Sequence, residues 1–434
     1  MLVNKKNIDN LLYIFLTAHI IIWTAVPFFT NNNLPLDTIE KLAWASNFDW
    51  GFNKHPPMSA LLVKIFYYIF GVNDWAYYLL SQLCVVFSFL IIWKLSKDFF
   101  KVIEYRLISV LLLVGIYFYN YTTPEFNVYI SELPFWSLTV FYSWKVYKKN
   151  NYADCLLLGI FAAMGILSHY LFVYLLLSID VFFLYMIYKK KINFRCLISL
   201  IPFLLILSPH LFWLFENNYT TISYALHRTG DSEKYFFDHI YFPISLIIKQ
   251  LAILIPFFCL LLILKPSLKL KSIYNDHKLF FLLIINLFPI FLIILTSAIM
   301  GVKIRTMWMT PFYLFFGLMF VYIIKPKINL NKLKKFIILL LFFFILSPFT
   351  YAFVSLTQND KRTDYKGKEI SQMVQKKLNK KSIVPKTVVG NEWIAGNLCY
   401  HLKSRPKCII KSQDYVVIYG RKGKNIIFQI NELK

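Results

Sequence analysis

Charge is scarce in this sequence, and acid is scarcest: 22 Asp and Glu stand against 47 Lys and Arg, and charged residues make up 16% of 434 positions. Hydrophobic residues make up 58%, a balance far too apolar for an ordinary soluble domain. No HExxH, paired CxxC, Walker or Rossmann pattern occurs, so redox carriers and nucleotide hydrolysis have no support. No internal repeat is apparent. Of six cysteines, Cys84, Cys155, Cys196 and Cys259 fall in apolar runs, where a thiol behaves as a small hydrophobe. Cys399 and Cys408 share the last segment; they could form a disulfide in an oxidising compartment or stay as two buried thiols.

What is abundant is uninterrupted apolar sequence. Runs such as Leu11 to Phe29, Leu279 to Met300 and Phe336 to Phe353 are long enough to cross about 30 Å of hydrocarbon as helices, the form lipid demands of a single strand of chain. The expected fold is an all-α polytopic bundle of about eleven spans, near 11–29, 76–93, 106–121, 128–144, 152–168, 170–187, 196–215, 242–264, 279–299, 306–324 and 335–353. A small α/β domain is expected over 354–434. The first apolar run is span-length and lacks a small-residue cleavage site, so no cleavable leader is expected.

Connections of one kind are basic: Lys94, Lys97, Lys101 and Arg106; Lys145, Lys148 and Lys149; Lys189, Lys190, Lys191 and Arg195; Lys265, Lys269, Lys271 and Lys278; Lys325, Lys327, Lys332, Lys334 and Lys335. The opposite connections carry fewer, Lys41, Lys54, Lys64, Arg228, Lys234, Lys303 and Arg305, over longer loops. The positive-inside rule therefore predicts a cytoplasmic amino terminus and an exported first loop and carboxy-terminal domain. This bias and a basic exported tail account for the net charge of +25 without a nucleic-acid partner.

The first exported loop, about 30–75, is not structureless. Ile39, Leu42 and Ala43 have helical spacing, with Asp37 and Glu40 one turn apart on the polar side. Pro56-Pro57 starts a second helix, Met58 to Phe70, too short to span and expected at the membrane interface. After the last span, Gly367 to Leu378 reads as a helix, and short β-like runs follow at 382–389, 408–411, 415–419 and 425–430.

Several polar groups can be read in two ways. Asp37 and Glu40 are candidate catalytic carboxylates, or a helix cap with a solvated neighbour. Lys54 and His55 could cradle an anionic headgroup at a helix start, or Lys54 could simply snorkel. Lys303 and Arg305 could grip a lipid phosphate or anchor a span end. Glu125, Asn127 and His169 fall at the outer ends of spans, with Glu132 one turn deeper, where polar groups are functional candidates. Tyr224 and Arg228 belong to the second exported loop. His210 could hydrogen-bond within the bundle or bind a metal.

The order Asp37-x-x-Glu40, Trp50-Gly51-Phe52, Lys54-His55-Pro56-Pro57-Met58 resembles the first periplasmic loop of bacterial C-type glycosyltransferases. These are relatives of the aminoarabinose–lipid A transferase and the dolichyl-phosphate-mannose protein mannosyltransferases. Pro124-Glu-Phe-Asn127, Leu167-Ser-His-Tyr170, Ser208-Pro-His-Leu-Phe-Trp213, Tyr224-Ala225 and Arg305-Thr-Met-Trp308 extend the resemblance through most of the membrane region.

The resemblance implies a bacterial inner-membrane enzyme that moves a sugar from a polyprenyl-phosphate donor to lipid A or another lipopolysaccharide acceptor, with inversion. Asp37 holds the place of the family's catalytic acid. Lys54, His55, Lys303 and Arg305 would meet the donor phosphate, and Glu125, Asn127, His169, Tyr224 and Arg228 the substrates. No nucleotide or redox cofactor is implied, and a divalent metal stays possible. Beyond substrates and membrane lipids no partner is expected, and the chain is expected to act as a monomer. Two departures stand out: Thr38 follows Asp37 where many relatives have Glu, and His55 precedes the proline where the lipid A transferase has lysine. The competing class is a transporter or flippase for lipid-linked sugars, which would favour internal repeats and acids at the bilayer midplane.

Overall fold

The computed structural model describes residues 5–229, 235–264, 276–326, 329–421 and 424–433. Lys234, Lys265, Lys269, Lys271 and Lys327 of the basic and opposing connections lie outside them. Helices α1 (Lys5–Thr30), α2 (Leu36–Ser46), α3 (Met58–Phe70) and α4 (Asp74–Phe99) open the chain. Then come α5 (Ile103–Leu111), α6 (Val128–Lys149), α7 (Tyr152–Ser168), α8 (Val173–Tyr188), α9 (Leu200–Glu216) and α10 (Thr220–Arg228). The bundle is completed by α11 (Asp238–Ile253), α12 (Ile255–Ile263), α13 (His277–Met300), α14 (Phe316–Ile324) and α15 (Leu330–Thr357).

Among the described residues, six helical stretches are long and apolar enough to cross a membrane, at Asn7–Thr30, Asp74–Phe99, Tyr170–Tyr188, Phe194–Glu216, His277–Met300 and Leu330–Thr357. Two bent pairs, α11 with α12 at 48° and Thr306–Tyr313 with α14 at 54°, raise the number to eight. The chain is a multi-pass membrane protein. Eleven spans are not reached by this measure, for reasons visible in the sequence. The expected span 106–121 stops being α-helical at Leu111 and tightens into 3-10 turns. There Gly115 lets the backbone of Phe257 approach so closely that an added Cβ would lie 2.6 Å from its Cα. Helix α7 has only 17 residues, and α6 carries Glu132, Lys145, Lys148 and Lys149.

Beyond α15 the chain forms α16 (Gly367–Lys380), β1 (Pro385–Gly390), α17 (Glu392–His401), β2 (Lys407–Ile410), β3 (Tyr415–Gly420) and β4 (Asn425–Gln429). The sheet order is β2-β1-β3-β4. Strands β1 and β2 are parallel, with Val388 opposite Cys408, and α17 is their crossover; β3 runs antiparallel to β1 and β4. Cys399 and Cys408 are buried free thiols. The sequence pattern located the four strands and α16 to within a few residues but passed over α17, whose ten residues are too few for a clear period.

Helix α2 joins the two parts. Ile39 and Leu42 belong to the core of the bundle, whereas Ala43 packs with Ile394, Ala395 and Leu398 in the core beneath the sheet. Gly396 makes the contact possible, since a Cβ there would lie 2.8 Å from Ile39 Cγ2. Helix α3, in contrast, exposes Ile65, Tyr68 and Ile69, an apolar face suited to lipid.

Candidate active site

Asp37 lies in the first turn of α2 and is fixed from a second segment. Its backbone N–H donates to Glu125 Oε1 at 3.1 Å, and the Phe126 N–H donates to Thr38 Oγ1 at 3.1 Å. Burial pushes the Asp37 carboxyl above its ordinary range; Lys41, Lys54 and Arg362 oppose the shift and Glu40 adds to it. Burial and then the charge of Asp37 push Glu125 up to about 7. Two carboxyls that share a site cannot both ionise easily, so the pair holds a proton to near neutral pH.

Glu40 has a different environment. Its oxygens lie 2.5 Å from Lys41 Nζ and 2.7 Å from Lys54 Nζ. Burial opposes its charge, but the two lysines override burial and hold the carboxyl at about 2. Lys54 also pairs with Glu392 at the start of α17. Burial works against the Lys54 charge, yet Glu40 and Glu392 raise its proton affinity above the ordinary lysine range. Lys41 is 1% exposed, and its ammonium lies 4.3 Å from the Trp44 ring centroid. Both acids act on Asp37, Glu125 through the Asp37 N–H and Glu40 as the ionised member of a network with Lys41 and Lys54.

Ring contacts draw the remaining candidates together. The His55 ring lies 6.2 Å from Trp44, 6.3 Å from Tyr224 and 6.0 Å from His169, centroid to centroid. His169 in turn lies 5.0 Å from Tyr129 and 6.5 Å from Trp308. Enclosure by neighbours, and then the charges of Lys41 and His169, hold His55 well below its usual range. Glu132 is fully buried with His169 Nδ1 at 3.6 Å. Arg305 is half-buried and opens the turn that carries Trp308. Lys303 is exposed, with its N–H bonded to the Thr229 carbonyl at 2.9 Å. Arg228 lies 5.9 Å from the centre of the Tyr224 ring. Among the described residues, no carboxylate pairs with Arg228, Lys303 or Arg305.

The Asn127 side-chain oxygen accepts from the N–H groups of Tyr129 and Ile130 and caps α6. His210 also hydrogen-bonds within the protein, to the Tyr170 hydroxyl at 2.7 Å and the Trp50 carbonyl at 2.6 Å. With Trp213 donating to Asp49 at 2.9 Å and Thr221 to the Phe52 carbonyl at 2.8 Å, it clamps the first loop onto α9 and α10. Gly51 leaves room for the Trp213 ring. No group of three or more His, Cys, Asp or Glu side chains among the described residues is arranged to hold a metal ion.

Residues 54–213 match the model of a family described as dolichyl-phosphate-mannose-protein mannosyltransferase. The structure of ArnT from Cupriavidus metallidurans bound to undecaprenyl phosphate superposes with a TM-score of 0.64 at 11% identity, over 91% of this chain and 85% of that one. ArnT in the apo state gives a TM-score of 0.60 at 11% identity with the same coverage. The fold is that of ArnT. No curated protein matches the sequence. The family match and the ArnT-like fold together mark the chain as a glycosyltransferase, as the first-loop residues lead one to expect.

Sequence reasoning missed Glu392 and Lys41. Lys41 sits on the polar side of α2 as read from its period, yet it is buried, with its ammonium against Glu40 and the Trp44 ring. Glu392 follows Asn391, whose side chain caps α17; that cap was the one available signal.

Proposed function

We propose that the protein is an inverting glycosyltransferase that moves a sugar from a polyprenyl-phosphate donor to lipid A or another envelope saccharide on the outer face of the bacterial inner membrane. In this reading the amino terminus faces the cytoplasm and residues 354–434 form an exported domain. The observation that carries it is Asp37 held through its N–H by the Glu125 carboxyl, at an end of the bundle where Arg228, Lys303 and Arg305 have no carboxylate partner among the described residues.

The acceptor hydroxyl oxygen attacks the anomeric carbon as the bond from that carbon to the phosphate oxygen breaks. Polyprenyl phosphate leaves with the bonding electrons, and the hydroxyl proton passes to Asp37. A carboxylate raised by burial is a stronger base than a solvated one. Glu125 keeps its proton below pH 7 and spares the site a second negative charge. Arg305, Arg228 and Lys303 stabilise the charge that grows on the phosphate, and Lys54 is the reserve cation, held between Glu40 and Glu392 until phosphate competes for it. His169 and Tyr224 line the path of the sugar.

The test is transfer by the purified protein from an undecaprenyl-phosphate pentose or hexose to extracted envelope glycolipid, read by mass spectrometry. A mass increase of one sugar with release of undecaprenyl phosphate supports the reading. An intact donor with every envelope fraction overturns it.

A further inference from the structure

An open cleft of about 530 Å3 runs between the start of α2 and the carboxy-terminal sheet unit, lined by Leu36, Arg362, Tyr365, Asn391, Glu392 and Trp393. We propose that this cleft is a saccharide subsite, in which Trp393 and Tyr365 stack on sugar rings and Arg362 binds an anionic substituent of the same headgroup. The inference rests on the glycosyltransferase reading, for which it would be the seat of the acceptor.

The volume lies within the range of about 300–1,000 Å3 typical of small-ligand pockets. The two aromatic rings are 5.3 Å apart at an interplanar angle of 54°, so they offer two tilted faces. A pyranose presents axial C–H groups to such faces while its hydroxyls stay free for polar neighbours. Tyr365 is held in place by its hydroxyl, which donates to the Leu433 carbonyl at 2.7 Å.

Charge selects the kind of saccharide. Arg362 is exposed, and among the described residues no carboxylate pairs with it. Glu392, the one acid of the lining, is already taken by Lys54. The cleft thus offers an unspent planar cation, which suits phosphate or carboxylate. Its position links it to the chemistry: Leu36 precedes Asp37, and Arg362 is near enough for its charge to favour ionisation of both Asp37 and Glu125. Beyond Tyr365 a second concavity of about 440 Å3 reaches Lys366 and Glu369, giving room for a headgroup of more than one ring.

The test is calorimetric titration of the full-length protein in detergent with two soluble probes, a phosphorylated glucosamine disaccharide and its phosphate-free counterpart. Arg362→Ala is expected to weaken the phosphorylated probe about tenfold and leave the other unchanged. Trp393→Ala should weaken both by about tenfold, and Trp393→Phe should retain them. Melting curves of each variant separate lost binding from lost folding. Failure of the parent protein to bind either probe, or parent-like binding by Arg362→Ala and Trp393→Ala, overturns the subsite. Donor-dependent transfer measured on the same preparations keeps the two ideas apart. Transfer with no binding in the cleft leaves the proposed function standing, and binding in a protein that makes no glycosidic bond leaves only the cleft.

Discussion

The N–H of Asp37 donates to Oε1 of Glu125 at 3.1 Å across 88 residues of sequence. The bond ties the first loop to the segment just before α6 and holds the Glu125 carboxyl, partly enclosed, against the first turn of α2, where the charge of Asp37 acts on it. The site's pH response follows from that enclosure.

Glu125 titrates at about 7 because burial and Asp37 both disfavour its charge. Below that pH it is neutral; above it, a second negative charge faces the donor phosphate. The KM for the polyprenyl-phosphate donor should therefore rise as pH passes through 7, and Glu125→Gln should flatten the rise. For stability the sign is the same: an acid whose folded pKa is raised favours the fold most below its unfolded value near 4.5, and that contribution is lost as pH climbs through about 7. Steady-state kinetics between pH 6 and 8.5 check the first statement, and melting curves over pH 4.5 to 8 check the second.

Glu40 is the buried partner of Lys41 and Lys54. Replacing Glu40 by Ala strands the Lys41 ammonium, and breaking a buried pair from one side costs about 3–5 kcal/mol. Thermal unfolding in detergent should show that loss. The Glu40 carboxylate, held at about 2, stabilises the fold at every pH above its unfolded value, and its contribution fades only as pH falls toward 2.

Gly396 lets α17 touch α2. Gly396→Val puts atoms where Ile39 Cγ2 already lies; overpacking of this kind costs about 1–3 kcal/mol and shifts the helix that carries Asp37. The expected result is a folded but slow enzyme, with kcat reduced more than donor KM. An unchanged kcat would mean that the sheet unit does not position the site.

Arg305 has no carboxylate partner among the described residues. Arg305→Ala should raise donor KM by about tenfold, equivalent to about 1.4 kcal/mol, with Arg305→Lys intermediate. The acceptor KM should not move.

The sequence showed the membrane bundle, the helices of the first loop and the strands after α15, because apolar length, proline starts and β-branched runs are local signals. It also singled out Asp37, Lys54, His55, Glu125 and His169, which the fold brings to one end. What it could not show was long-range: that Glu125 accepts from the Asp37 N–H, that α2 packs under α17, and that Lys54 is shared with Glu392. Each depends on contacts across 88 or 338 residues that no local period records. His55 was read as one side of an anion cradle, and its surroundings, invisible in the chain order, lower its proton affinity.

The most direct measurement is transfer by Asp37→Asn, an isosteric change that removes the base, followed with isotope-labelled donor in purified, folded protein. The account predicts that donor still binds and that glycosidic bond formation falls by a factor of about 100 or more. Turnover close to that of the parent protein would contradict it.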